Sequence, residues 1–183
     1  MADQELRVPL DDLRFPIGEF SHGGALSPEG RRHNIGRIEA VPARLRAAVA
    51  GLSDEQLDTR YRPEGWTVRQ VVHHIPDSHL NSYIRFKLAV TEDTPTIRTY
   101  EEALWAELPE ARTAPVELSL TLLAALHARW VLFLRNLSAG DFARTFRHPG
   151  YGVVTLDWAL DFYAWHGDHH IAHVTGLRRR MGW

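Results

Sequence analysis

Four stretches of about twenty residues, each with apolar side chains recurring every three or four positions, dominate this chain of 183 residues. That period commits the backbone to amphipathic helices, which must bury their apolar stripes against one another. Ser27 followed by Pro28 marks the first start, since proline at the first helical position loses no needed hydrogen bond. This helix is expected to reach about Val49 before Gly51, kinked at Pro42. Ser53 and Gln56 have capping-box spacing and predict a short helix. Thr67 and Gln70 repeat that spacing and open a helix to about Thr91, with an interruption expected at Pro76. Residues 92–99 read as a loop, and Tyr100 to Leu108 as a helical turn or two. A third long helix is expected from Pro115 to Leu137, and a fourth from Thr155 to Arg180. Thr145 to Thr155 reads as a hairpin-like excursion between them. Residues 1–26, with two prolines and three glycines, predict an irregular arm packed on the domain. The expected architecture is all-α: a four-helix bundle forming one domain over residues 1–183.

Composition narrows the chemistry. The formal charge of −2 gives no expectation of a nucleic-acid surface or a basic membrane-binding face. No uninterrupted apolar run approaches the roughly 20 residues that span a bilayer, and no secretory signal opens the chain, so a cytoplasmic protein is expected. Cysteine is absent, which removes disulfides, thiolate ligands and a protein thiol nucleophile. Gly23-Gly24 lacks the context of a phosphate loop, and neither a G-x-S-x-G elbow nor an H-E-x-x-H motif occurs.

The anomaly is histidine, eleven in all. The last helix carries His166-Gly-Asp-His169-His170-Ile-Ala-His173. His166 and His170 lie one turn apart on a stripe that Ala159, Phe162 and Tyr163 begin and Val174 and Leu177 continue. That stripe faces the bundle interior, so the pair is the best-centred one for a divalent ion, to which two imidazoles can converge at about 2.0–2.1 Å. His173 lies near the same stripe, His169 falls toward its edge, and Asp168 turns off it. The second helix offers His73, His74 and His79; its face favours His74 or His79 and sends His73 toward solvent. Asp77 can orient an imidazole from behind or simply sit on the helix surface. Trp66, Tyr100, Trp105, His127, Trp130 and Trp165 are candidates for a pocket lining, against which stands ordinary core packing. Arg85 projects inward and would meet either an anionic cosubstrate or a neighbouring helix's carboxylate; Arg178 to Arg180 read as a solvated helix end.

At these residues the sequence resembles the DinB/YfiT-like superfamily of four-helix-bundle metalloproteins, in its YfiT branch. The resemblance rests on Leu13-Arg-Phe-Pro-Ile-Gly18, Gly65-Trp-Thr-Val-Arg-Gln-Val-Val-His-His-Ile75 with Asp77-Ser-His79, Leu126-His-Ala-Arg-Trp130, and Tyr163-Ala-Trp-His-Gly-Asp-His-His-Ile-Ala-His173. It covers nearly the whole chain; Pro76 departs from the small residue usual there. The resemblance implies His74, His166 and His170 as ligands of one divalent transition metal per chain, zinc or nickel, and a homodimer. Three neutral ligands leave open coordination positions, as catalytic sites require. The branch implies S-transfer of a low-molecular-weight thiol, bacillithiol-like, to an electrophilic small molecule. The alternatives are a metal-dependent hydrolase using ion-activated water, and a metal-binding or stress-related bundle without turnover.

Overall fold

The structure is a computed structural model that describes residues 9–183; the first eight residues of the expected arm lie outside the described residues. The elements run in order: α1 (Leu10–Arg14), α2 (Pro28–Val49), α3 (Asp54–Leu57), α4 (Val68–Thr91), α5 (Glu102–Ala106), α6 (Pro109–Thr113), α7 (Val116–Arg135), α8 (Ala139–Phe142), β1 (Thr145–His148), β2 (Gly152–Thr155) and α9 (Leu156–Met181). The chain is a four-helix bundle built from α2, α4, α7 and α9. The starts follow from the caps. Ser27 Oγ accepts from the Gly30 amide at 3.1 Å, and Thr67 and Gln70 close their capping box at 3.1 and 2.9 Å. Thr155 caps α9 through the Trp158 amide, and Gly182, at φ 69°, ends it in a left-handed cap.

Helix α2 packs on α9 and α7, and α4 packs on α7 and α9. Around the bundle the order is therefore α2, α9, α4, α7. Only the α4-to-α7 step joins neighbours; the α2-to-α4 and α7-to-α9 connections both cross a diagonal, unlike an up-down-up-down bundle. The consequence is that α4 and α9, the two histidine-rich helices, become lateral neighbours.

The interior has two apolar parts. One gathers Ile38, Phe86, Trp130, Leu134 and Leu160; the other gathers Val41, Leu45, Ile75, Leu123 and Ile171. Between them, on three helices, lie the buried His79, His127 and His166. The sequence stripe of apolar, imidazole and apolar residues is thus a physical layer across the middle of the core.

Helix α4 is continuous through Pro76, so the expected interruption does not occur. A proline inside a helix costs about 3 kcal/mol, but Val72, Ile75 and His79 on either side are fully buried. Burial of apolar side chains at roughly 1.5–3 kcal/mol each outweighs it. The arm, expected to be irregular, carries the short α1 and then docks along α9. There Trp165 Nε1 donates to the Gly18 carbonyl at 3.3 Å and His173 Nε2 donates to the Arg14 carbonyl at 3.1 Å. Arg31 holds Asp157 through two 2.7 Å bonds, tying the start of α2 to the start of α9. Arg178 and Arg180 are not a merely solvated end. Arg178 donates to the Ala48 and Ala50 carbonyls, which the terminus of α2 leaves without helical partners, and Arg180 to the Tyr61 carbonyl.

Helix α7 qualifies one expectation, since it is long and apolar enough, by length and composition, to cross a membrane. In the bundle its Leu123, His127, Trp130 and Leu134 are buried, while Leu118 and Leu132 face outward.

Gly167 lies where α9 crosses α2, and a Cβ built there would stand 2.5 Å from Val41 Cγ2. Glycine in a helix interior costs roughly 0.5–1 kcal/mol relative to alanine, and overpacking a core costs about 1–3 kcal/mol. The second effect wins here, because the obstacle is a fully buried valine. Gly167→Ala is expected to lower stability by about 1–2 kcal/mol, read as a reduced urea midpoint; an unchanged or raised midpoint would show that the helices separate freely.

Candidate metal centre

The three expected ligands meet. His74 Nε2 lies 3.4 Å from His166 Nε2, and His170 Nε2 lies 3.2 Å from the same atom. All three nitrogens fall within 4.8 Å of one another. Nitrogens held about 2.0–2.1 Å from one ion at near-tetrahedral angles stand roughly 3.3–3.4 Å apart, so the donor set fits a transition-metal ion. Burial keeps the rings neutral, which is the form that donates a lone pair. It pushes the His74 pKa down to about 4 and holds His166 and His170 well below the ordinary imidazole range, with the neighbouring imidazoles adding to the effect.

Behind His166 runs a chain of imidazoles whose direction is fixed at its far end. Pro42 has no N–H, so the carbonyl of Ile38, four residues earlier in α2, lacks its helical donor. His127 Nδ1 supplies one at 2.7 Å. A carbonyl only accepts, so His127 carries its proton on Nδ1 and, being neutral, accepts at Nε2. His79 Nδ1 donates to that nitrogen at 2.9 Å, and His166 Nδ1 donates to His79 Nε2 at 3.0 Å. Each ring is thereby assigned one tautomer, and the last leaves the His166 Nε2 lone pair turned toward His74 and His170. His79, a geometric alternative for the third ligand, spends both nitrogens in this chain. His127, weighed as core or as supporting base, is a buried link.

His73 corrects the expectation of a solvent-facing ring. It is buried, accepts from Ser119 Oγ at 2.7 Å and donates to the Ala114 carbonyl at 3.2 Å, joining α4 to the start of α7. The short α5 and α6 cover the face that the periodicity assigned to solvent. Asp168 does turn away, and it pairs with Arg37 and Arg44. Asp77 orients no imidazole; partial burial raises its carboxyl to about 6. His169, His170 and His173 form a second trio of adjacent ring nitrogens. It lies along one helix under the arm and the rings of Phe15, Tyr61 and Trp165. His74, His166 and His170 instead open on a pocket.

That pocket, about 480 Å³, is also lined by Trp66, Ser78, Arg85, Tyr100, Tyr163 and the hairpin residues His148 and Tyr151. Of the candidate aromatic lining, Trp66 and Tyr100 are present; the Trp66 ring is 4.6 Å from that of His74. Trp105 packs on Tyr100, Trp130 is core, and Trp165 stacks on His169 outside the pocket. Tyr163 was legible as part of the α9 stripe. His148 and Tyr151 carried no local signal, because only the docking of the hairpin brings them to the pocket.

Two outcomes follow for the metal-free protein. Burial pushes the pKa of His74, His127 and His173 down to about 4 in the folded chain, whereas an unfolded imidazole titrates near 6.5. Between those values the unfolded chain binds more protons, so stability falls as pH falls through that window. Denaturant midpoints measured at pH about 7 and about 5 should drop steeply; equal midpoints would contradict neutral burial. Second, His127→Leu should release the tautomer of His166, read by ring ¹⁵N NMR, and weaken zinc affinity by about 10–100-fold. His127→Gln, which can both donate to Ile38 and accept from His79, should restore both; an unaltered His166 tautomer in the leucine variant would break the chain argument.

Comparison with known proteins identifies the family. The family model described as the DinB superfamily matches residues 37–174. A protein of Bacillus mycoides (strain KBAB4) named "putative metal-dependent hydrolase" is 52% identical over 174 residues, covering 95% of this chain and all of the relative. One from Bacillus cereus (strain AH820), similarly named, is 51% identical over the same shares. The solved structure of YfiT from Bacillus subtilis, described as "a probable metal-dependent hydrolase with an unusual four-helix bundle topology", superposes with a TM-score of 0.92 at 53% identity. It covers 94% of this chain and 99% of its own. The matched span takes in α4, α7 and all three converging histidines, and the chain belongs to the DinB superfamily.

Proposed function

We propose that this protein is a metal-dependent enzyme acting on small molecules, with one zinc or nickel ion per chain held by His74, His166 and His170. The observation that carries the reading is the spacing of their Nε2 atoms, 3.2 and 3.4 Å about His166, at the wall of an open pocket. The names of the relatives support metal dependence. Within that reading the reaction is transfer of a low-molecular-weight thiol to an electrophilic carbon. When bound, the ion supplies positive charge that lowers the pKa of a thiol or water beside it. The chain has no cysteine, so the sulfur belongs to a cosubstrate. The new sulfur–carbon bond forms as the carbon's leaving group departs, and the thiol proton passes to solvent.

The residues of the chain have separable tasks. The His79–His127 chain holds the His166 ring in orientation. Trp66 covers one side of His74 and stacks at 6.3 Å on His170, limiting access of bulk water. Burial raises the Tyr100 phenol, so at neutral pH it stays protonated and keeps one O–H donor at the pocket wall. His148 Nδ1 accepts from the Gly150 and Tyr151 amides, which leaves its proton on Nε2. Hydrolysis is the second reading, favoured by the relatives' names and by the carboxylates of Glu101 and Glu102 at the pocket wall, which can take a proton from water.

Metal analysis of variants tests the centre. His74→Ala, His166→Ala and His170→Ala should each lose bound zinc or nickel, while His73→Ala and His169→Ala keep it; metal retained by all three of the first set ends the proposal. Incubation of the metal-loaded protein with a thiol and monochlorobimane should give a rate well above the metal-free control. Turnover of an ester or amide panel without thiol transfer would instead assign hydrolysis, and a silent but metal-loaded protein would leave a binding bundle.

A further inference from the structure

Arg85 is 8% exposed, and no described carboxylate lies within ion-pairing distance of it. Lysine and arginine side chains are almost never this buried unless paired, and an unpaired buried charge is expensive. The other strongly buried arginine, Arg69, shows the ordinary solution: it is held by both Asp54 and Asp58. Among the described residues Arg85 has only neutral partners. Nη1 donates to the Tyr163 hydroxyl at 3.4 Å and Nη2 to the Arg98 carbonyl at 3.1 Å. A guanidinium has five N–H donors in a planar fork, so most remain for another acceptor.

The unpaired fork lines the same pocket as His74, His166 and His170. It lies eleven residues after His74 on α4, roughly 16 Å along the axis, and the side chain leans back toward the helix start and hence toward His74. Tyr163, its hydroxyl partner, has its ring 5.6 Å from that of His166. Glu101 and Glu102 also line the pocket, but they are exposed and neither reaches Arg85. The positive wall and the histidine trio therefore face one volume of about 480 Å³.

We infer that Arg85 is a carboxylate-binding residue, and that the small molecule this pocket takes carries a carboxylate several bonds away from the atom that meets the histidine trio. The fork makes a bidentate pair with the two carboxylate oxygens, the geometry arginine suits best. The folded protein carries the cost of an unpaired cation, and the ligand relieves it on binding. This deepens the proposed function, since it names a substrate class for the same pocket, but the binding itself needs no metal.

Succinate and its neutral diamide, titrated into the metal-free protein, provide the test. Metal-free protein removes the competing anion receptor. Succinate should bind and shift the Arg85 Nε–H signal in ¹H–¹⁵N NMR; the diamide should bind at least tenfold more weakly and leave that signal in place. Arg85→Gln should lose at least tenfold in succinate affinity while retaining its zinc content. A glutamine variant that binds succinate as the wild type does, or a diamide that matches the diacid, overturns the inference. If the glutamine variant does not fold, the wild-type Arg85 signal still decides: no shift with succinate refutes the assignment. Failure of the metal proposal is distinguishable, because it shows as absent zinc in the wild type while succinate binding persists.

Discussion

A carbonyl without its helical donor directs the hydrogen bonding at the centre of this bundle. Pro42 removes the N–H that Ile38 would otherwise receive, and His127 takes its place at 2.7 Å. Because the carbonyl can only accept, the protons on His127, His79 and His166 all fall on Nδ1. Three imidazoles that would be costly to bury with unmatched donors become a satisfied layer between two apolar cores. The unmatched end of the chain is the His166 lone pair. A helix defect on α2 is in this way converted into the orientation of the His166 ring on α9, across α7 and α4.

The bundle's connectivity makes that possible. With the α2-to-α4 and α7-to-α9 connections crossing diagonals, α4 and α9 lie side by side, and their histidines approach from two backbones rather than one. The trio confined to α9 lacks this second direction and sits beneath the arm. Close approach has its own requirement at Gly167, where α9 meets Val41 too tightly for a side chain. The pocket then combines groups the interior would ordinarily pair: neutral imidazole nitrogens with free lone pairs, and a guanidinium with no counter-ion among the described residues. Local instability of this kind concentrates at sites that acquire partners from solution.

Much of the fold was legible because helix signals are local. The capping boxes at Ser53 and Thr67, the Ser27 cap and the turn chemistry around Gly150 each depend on neighbours within a few residues. The one long-helix misreading, at Pro76, failed because the burial on both sides outweighs a single lost bond. His73 failed for a related reason: helical projection gives a direction, but not whether another element covers it. The short α5 and α6 do, and a histidine assigned to water became buried.

The sequence by itself determined the helical period, the places where helices begin, and the pairing of His166 with His170 one turn apart on a face shared with apolar residues. It also determined that no thiolate ligand or thiol nucleophile comes from the chain. Only the tertiary structure separated the positions of His74 and His79: both lie inward on α4, but His79 bonds His127 while His74 Nε2 is left beside His166 Nε2. It likewise decided that Arg85 meets no carboxylate among the described residues and that His148 reaches the pocket. Periodicity specifies direction around one helix axis; hydrogen-bond direction and charge pairing depend on which axes are neighbours, and that is a property of the folded bundle.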